Sequence, residues 1–175
     1  MMKNAKVASA EQIAGRLEEG FTLIELLIVM SIMLVLMTLG IPQLMKLRKS
    51  ANETSAEQSV RTIGQAELSY SSAYPSSGFT CTLSQLGGAQ GSAPSPQSAQ
   101  LLAPDLASGQ KAGYTFTITG CTKVTVNNQD MFTTFQVNAV PTSVGHTGDR
   151  GFCSDENNLI KVDPAGGTNC TQPLQ

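Results

Sequence analysis

Gly20-Phe21-Thr22-Leu23-Ile24-Glu25-Leu26-Leu27-Ile28-Val29 opens the stretch on which the fold turns. From Leu26 to Met45 there are 20 consecutive residues without a charge, and Phe21 to Ile24 extend the run past the single Glu25. At 1.5 Å per residue a helix over 21–45 would be about 37 Å long, enough for a hydrocarbon core of about 30 Å with some tilt. A secretory signal peptide has a shorter apolar region, about 7–15 residues, that ends in a small-x-small cleavage site. This run leads instead into Gly40, Ile41, Pro42 and Gln43, so no cut is expected behind it. A carboxylate has nevertheless entered the apolar run. At the centre of a membrane helix an acidic residue costs about 2.5–3.5 kcal/mol, so Glu25 asks for water or a partner. A cut after Gly20 would supply one: a new ammonium at Phe21, with Glu25 one helical turn further on. Gly20 suits such a cut because its minimal side chain lets a peptidase approach the backbone. Pro42 removes a backbone donor and crowds the preceding turn, so with Gly40 it should kink or locally melt the helix.

Composition narrows the class. The chain has 175 residues, 11 Lys plus Arg against 13 Asp plus Glu, and a formal net charge of −2. That balance gives no basic field for nucleic acid. Only 14% of residues are charged, where an average soluble protein has about a quarter. Apolar residues concentrate near the N-terminus, and the remainder is rich in Ser, Thr, Gly, Asn and Gln, with no Trp and one His. Such a chain is poor in catalytic side chains. No phosphate-binding glycine loop, nucleophile elbow or catalytic dyad is visible, and no cofactor or enzyme activity is expected.

Behind Pro42 the helical period continues. Leu44, Leu47 and Ala51, then Ala56, Val60, Ile63, Ala66 and Tyr70, recur at spacings of three and four. Glu57 and Arg61 form an i,i+4 pair in the favourable order, and Pro75 supplies the stop after Tyr74. The spacing therefore predicts one long helix over 21–74, with an apolar first half (21–45) and an amphipathic second half (46–74). Residues 75–112 read as loop, rich in Ser, Gly, Pro and Gln, too weakly apolar for a core, with at most a short helix near Ser98 to Leu102. From Gly113 the period changes to two, and Tyr114, Phe116 and Ile118 alternate with Thr115, Thr117 and Thr119. Met131 to Val140, ending at Pro141, reads as a second strand; Phe152 to Ser154 and Leu159 to Val162 read as a final hairpin. A long helix with three or four antiparallel strands over 113–175 makes an α+β fold.

Cys81, Cys121, Cys153 and Cys170 all follow the apolar run, an even number without metal-type spacing, and point to disulfides in an oxidising compartment. Four cysteines allow three pairings, and spacing does not choose among them. Lys46, Arg48 and Lys49 directly behind the span would by the positive-inside rule place the C-terminal part in the cytoplasm; the cysteines argue for the other side. Asp149, Asp155, Glu156 and Asp163 are weak calcium candidates without EF-hand spacing. His146, between Gly145 and Thr147, reads as a surface residue.

Gly20 followed by Phe-Thr-Leu-Ile-Glu-Leu-Leu resembles the N-terminal signal of type IV prepilins and type II secretion pseudopilins. In that family a Gly precedes the cut, a Phe follows it, a Glu stands at the fifth mature position, some twenty apolar residues come next, and many members carry a proline where Pro42 stands. The resemblance implies a pilin-like α+β fold and removal of a leader, residues 1–20, by a membrane prepilin peptidase. It also implies N-methylation of Phe21 and a role for Glu25 in neutralising the N-terminus of a neighbouring subunit as helices bundle. The partners implied are further copies of the chain, minor pilins, the prepilin peptidase and methyltransferase, an inner-membrane assembly machinery, and lipid before assembly. The location implied is a single-pass inner-membrane anchor with a periplasmic C-terminal part, then a surface pilus, or the periplasm for a pseudopilin. Alongside it we favour Cys81 with Cys121, tying the loop to the sheet edge, and Cys153 with Cys170, similar to the C-terminal disulfide-bounded loop of many pilins. Some pseudopilins bind calcium near this part of the fold. An uncleaved anchored binding module is the alternative from another class.

Overall fold

The computed structural model describes residues 20–88, 91 and 93–174. Residues 1–19, which belong to the expected leader, lie outside the described residues. The described chain divides at Pro42 into two units, taken in turn. One helix, α1 (Leu23–Ala73), contributes to both.

In the first unit, α1 is apolar around its whole circumference, and Leu27, Met30, Leu34 and Met37 are all exposed. Ser31 and Thr38 return their hydroxyls to the carbonyls of Leu27 and Val35, so neither leaves an unpaired polar group on this surface. Among the described residues α1 is the one helix long and apolar enough to cross a membrane. Helical structure is unbroken through Gly40 and Pro42, so the local melting expected there does not occur. Seven residues beyond Pro42, Lys49 makes the first ion pair of the second unit.

In that unit Ala56, Val60, Ile63, Ala66 and Tyr70 face inward, as their spacing predicts. Leu44 and Leu47, expected on the same face, are 51% and 60% exposed, and Ala51 is exposed too. The sheet does not reach them: the buried face of α1 begins with Glu53 and Ala56. Tyr74 bonds back to the carbonyl of Tyr70 and Pro75 ends the helix.

Against that face lies an antiparallel sheet of β1 (Gln110–Lys111), β2 (Tyr114–Thr119), β5 (Gln136–Pro141), β6 (Gly151–Asp155), β7 (Ile160–Asp163) and β8 (Gln172–Pro173), in the order β1-β2-β5-β6-β7-β8. Phe116 pairs with Ala139, and Ala139 with Phe152, which pairs with Val162, so one row of the sheet enters the core together. Thr117 and Thr119 face out, as the period of two requires. The fold is α+β and pilin-like, a long N-terminal helix with an antiparallel sheet.

Three expectations are corrected. Met131 to Val140 is not one strand. Its start belongs to a separate hairpin, β3 (Lys123–Val126) with β4 (Gln129–Phe132), turned at Asn127–Asn128. Thr133 then bonds the carbonyl of Thr122, and Thr134 that of Gly120, which pulls the chain out of the ladder before β5. Residues 98–102 are not helical; the amides of Ala99, Leu101 and Leu102 bond the carbonyls of Gln85 and Leu86, and the short helices are α2 (Leu83–Leu86) and α3 (Pro104–Ala107). The segment read as too polar for a core supplies part of it: Leu83, Leu86, Ala99, Leu102 and Leu106 are all buried in the one cluster. Few apolar residues suffice where each of them turns inward.

Candidate processing and assembly site

The residues expected to direct processing, Gly20, Phe21 and Glu25, sit where the chain enters α1. Gly20, Phe21 and Thr22 are not helical, and Phe21 is 86% exposed. Among the described residues a side chain added at Gly20 would meet nothing within 4 Å, so the backbone at the Gly20–Phe21 bond is open there. The helix begins immediately afterwards for a local reason. The Glu25 carboxylate accepts from the Thr22 backbone N–H at 2.9 Å and from the Thr22 hydroxyl at 2.7 Å, while the Glu25 N–H donates to the Thr22 Oγ1 at 3.2 Å. This is a reciprocal capping box. Thr22 holds the helix start and Glu25 reaches back to it, so both orphan amides are satisfied. The negative carboxylate also lies at the positive end of the helix dipole.

Thr22 is the capping residue that reading Glu25 alone missed. A T-x-x-E pattern before an apolar run was its signal. Chemically, the arrangement holds a carboxylate one turn inside the helix, beside the residue whose amine a cut after Gly20 would free. Gly40 and Pro42 lie in the same helix, 15 and more residues further on.

The remaining predicted residues serve the globular unit. Cys81 is bonded to Cys121, with Cα atoms 6.2 Å apart, and Cys153 to Cys170, with Cα atoms 6.0 Å apart. The first joins the strap after α1 to the segment entering β3; the second joins β6 to the approach to β8. Three of the four calcium candidates, Asp149, Asp155 and Asp163, are engaged within the fold. Asp149 pairs with Lys49 at 2.7 Å, Asp155 accepts from the Asn157 amide, and the buried Asp163 accepts from the amides of Ala165 and Asn169. Among the described residues no three Asp, Glu, His or Cys side chains form a group that could hold a metal ion.

Two buried carboxylates on α1 were not singled out by the sequence. Glu53 receives the Arg150 guanidinium at 2.8 Å and the amides of Asp149 and Arg150, closing the loop between β5 and β6 against the helix. Glu67, 0% exposed, accepts from both the amide and the hydroxyl of Thr80, each at 2.8 Å. Removal from water pushes its carboxyl up to about 7, against which the two Thr80 bonds act only in part.

An open peptide bond thus precedes a capped apolar helix of membrane length. Residues 15–41 match the family described as the prokaryotic N-terminal methylation motif. The match supports a prepilin of the type IV pilin or pseudopilin type, anchored in a membrane through its apolar helix, processed by a prepilin peptidase and assembled into a filament. No curated protein matches the chain, and no solved structure does.

Proposed function

We propose that the chain is a structural subunit of a type IV pilus-like surface filament, cut between Gly20 and Phe21, N-methylated at Phe21 and assembled through its apolar helix. The observation that carries this reading is the capping-box carboxylate of Glu25 one turn behind an exposed Gly20–Phe21 bond, at the head of an apolar helix inside the methylation motif. Before assembly the helix anchors the subunit in the inner membrane with the disulfide-bonded unit in the periplasm. An oxidising compartment supports that side for Cys81–Cys121 and Cys153–Cys170 despite Lys46, Arg48 and Lys49 behind the span. Burying Glu25 in a bundle of helices would be costly unless a cation met it. The Phe21 ammonium of an adjacent subunit is that cation. The partners are copies of the chain and minor pilins, the prepilin peptidase and methyltransferase, and the assembly machinery of the inner membrane. The chain performs no catalysis in this reading.

Mass spectrometry of the N-terminal peptide, from sheared surface material and from the membrane pellet, tests it. A peptide that begins at N-methylated Phe21 and is abundant in the sheared fraction is the expected result. The same peptide confined to the membrane would make the chain a type II secretion pseudopilin, and a peptide beginning before Gly20 in every fraction would leave an uncleaved anchored module. Glu25→Ala should abolish filaments while the cut still occurs; normal filament levels in that variant would remove the counter-charge role.

A further inference from the structure

Glu67 presents a chemistry that filament assembly does not use. Its carboxylate is enclosed on α1 and accepts two hydrogen bonds from Thr80. Thr80 belongs to a strap, residues 77–81, that runs from the end of α1 to the first disulfide. That strap carries the β3–β4 hairpin: the Phe132 amide donates to the Ser77 carbonyl at 3.0 Å, the Phe79 amide donates to the Phe132 carbonyl at 3.0 Å, and Cys81 is bonded to Cys121 two residues before β3. Phe79 also meets Phe135 edge to face, with ring centroids 4.8 Å apart. All of β3 is exposed, while Met131 and Phe132 of β4 are half-buried. Its seat on the globular unit therefore runs through the strap, and the strap is fastened to α1 at Glu67.

Among the described residues no cation accompanies the carboxylate. On α1 the titratable neighbour coupled to it is Tyr70, one turn on, whose phenol burial pushes up and Glu67 raises further; Tyr74 lies a turn beyond. From the strap it meets Thr80, followed by a cysteine locked in a disulfide. Among the described residues, no lysine, arginine or histidine contributes to its ionisation. A neutral carboxyl at this place can accept the Thr80 amide and share a proton with the Thr80 hydroxyl. An ionised one is a buried charge with two neutral donors and no counter-ion, and hydration through strap opening relieves it.

We infer that Glu67 and Thr80 form a proton-dependent latch that holds the strap, and with it the β3–β4 hairpin, on the globular unit at acidic pH and loosens it at alkaline pH. The sign follows from linkage. The folded carboxyl titrates near 7 against 4.5 when exposed, so the closed strap binds a proton the open strap releases. Latch stability is complete below 4.5 and is lost as the pH rises through about 7. Between pH 5 and 8 these two values correspond to a rise of about 70-fold in the opening constant.

Hydrogen exchange of the full-length chain in detergent micelles, followed by mass spectrometry from pH 5 to 8 and corrected for the intrinsic rate at each pH, tests the latch. Peptides over 77–82 and 123–132 should lose about 70-fold in protection as the pH rises, while β6–β7 stays flat. Glu67→Gln, which keeps an acceptor and a donor for Thr80 without a titrating group, should remove the dependence. Thr80→Val deletes one bond to the ionised form and should move the loss to higher pH. Flat protection in the wild-type chain, an equal fall in Glu67→Gln, or a parallel fall in β6–β7 would each overturn the proposal.

Discussion

Glu53 and Glu67 stand on the buried side of one helix, and their partners set them opposite tasks. Glu53 meets a guanidinium and two backbone amides, so its charge is compensated where it lies. Glu53→Gln should therefore cost about 2 kcal/mol, read as a lower denaturation midpoint, because Arg150 keeps half its side chain in water. Among the described residues Glu67 has no such partner, and the sign reverses. Glu67→Gln should raise the thermal midpoint at pH 8, by the equivalent of at most about 3 kcal/mol, and by only about a quarter of that at pH 5. A variant equally stabilised at both pH values would show that burial alone, without ionisation, is at work. Thr22 makes a residue-scale case of another kind. Thr22→Val keeps the shape but removes the hydroxyl that joins the Glu25 cap, and should cost about 1 kcal/mol of first-turn helix. Faster amide exchange confined to residues 23–26 is the expected readout.

At the scale of elements, the β3–β4 hairpin depends on its turn and its seat. Asn127 and Asn128 have φ of 50° and 60°, the pair of left-handed conformations that a two-residue type I′ turn requires. Asn tolerates them and a β-branched residue does not. Asn128→Gly should leave stability equal or slightly higher, whereas Asn128→Val should cost about 1–2 kcal/mol, measured by denaturant unfolding. The seat has its own requirement. Gly78 has φ of +70°, and a Cβ there would fall on the carbonyl oxygen of Phe132. Strap and hairpin approach so closely because residue 78 has no side chain.

For the whole molecule the scarcity of apolar residues after α1 makes the disulfides central. Cys81–Cys121 closes a separation of 40 residues and Cys153–Cys170 one of 17. In the chain-entropy picture they contribute about 4 and about 3 kcal/mol respectively, so removing the first pair as Cys→Ser should lower the thermal midpoint further than removing the second. The reverse order would mean that the C-terminal bridge, which joins β6 to the approach to β8, governs the stability of the sheet. Both bridges lie in the unit that begins at Gln43, while the apolar segment before it contains no cysteine. Membrane anchoring and covalent reinforcement are thus divided along the chain.

What the sequence determined by itself was local in physical origin. A 20-residue uncharged run states its own membrane length, the three- and four-residue spacing of Ala56 through Tyr70 states a buried helix face, and the alternation from Tyr114 to Thr119 states a half-buried strand. The candidate processing site could be proposed for the same reason, since Gly20, Phe21 and Glu25 stand together at the head of one helix; the capping pattern of Thr22 with Glu25 is equally local. Tertiary structure alone decided the rest. Leu83 through Leu106 enter the core because amides of 99–102 bond carbonyls around α2, a pairing invisible to periodicity. Glu53 and Glu67 are carboxylates at helix positions that a sequence presents as solvated charges; only the loop bearing Arg150 and the strap bearing Thr80, 97 and 13 residues away, give them opposite electrostatics. Contacts across such separations depend on which surfaces the folded chain brings together, and no local spacing encodes that.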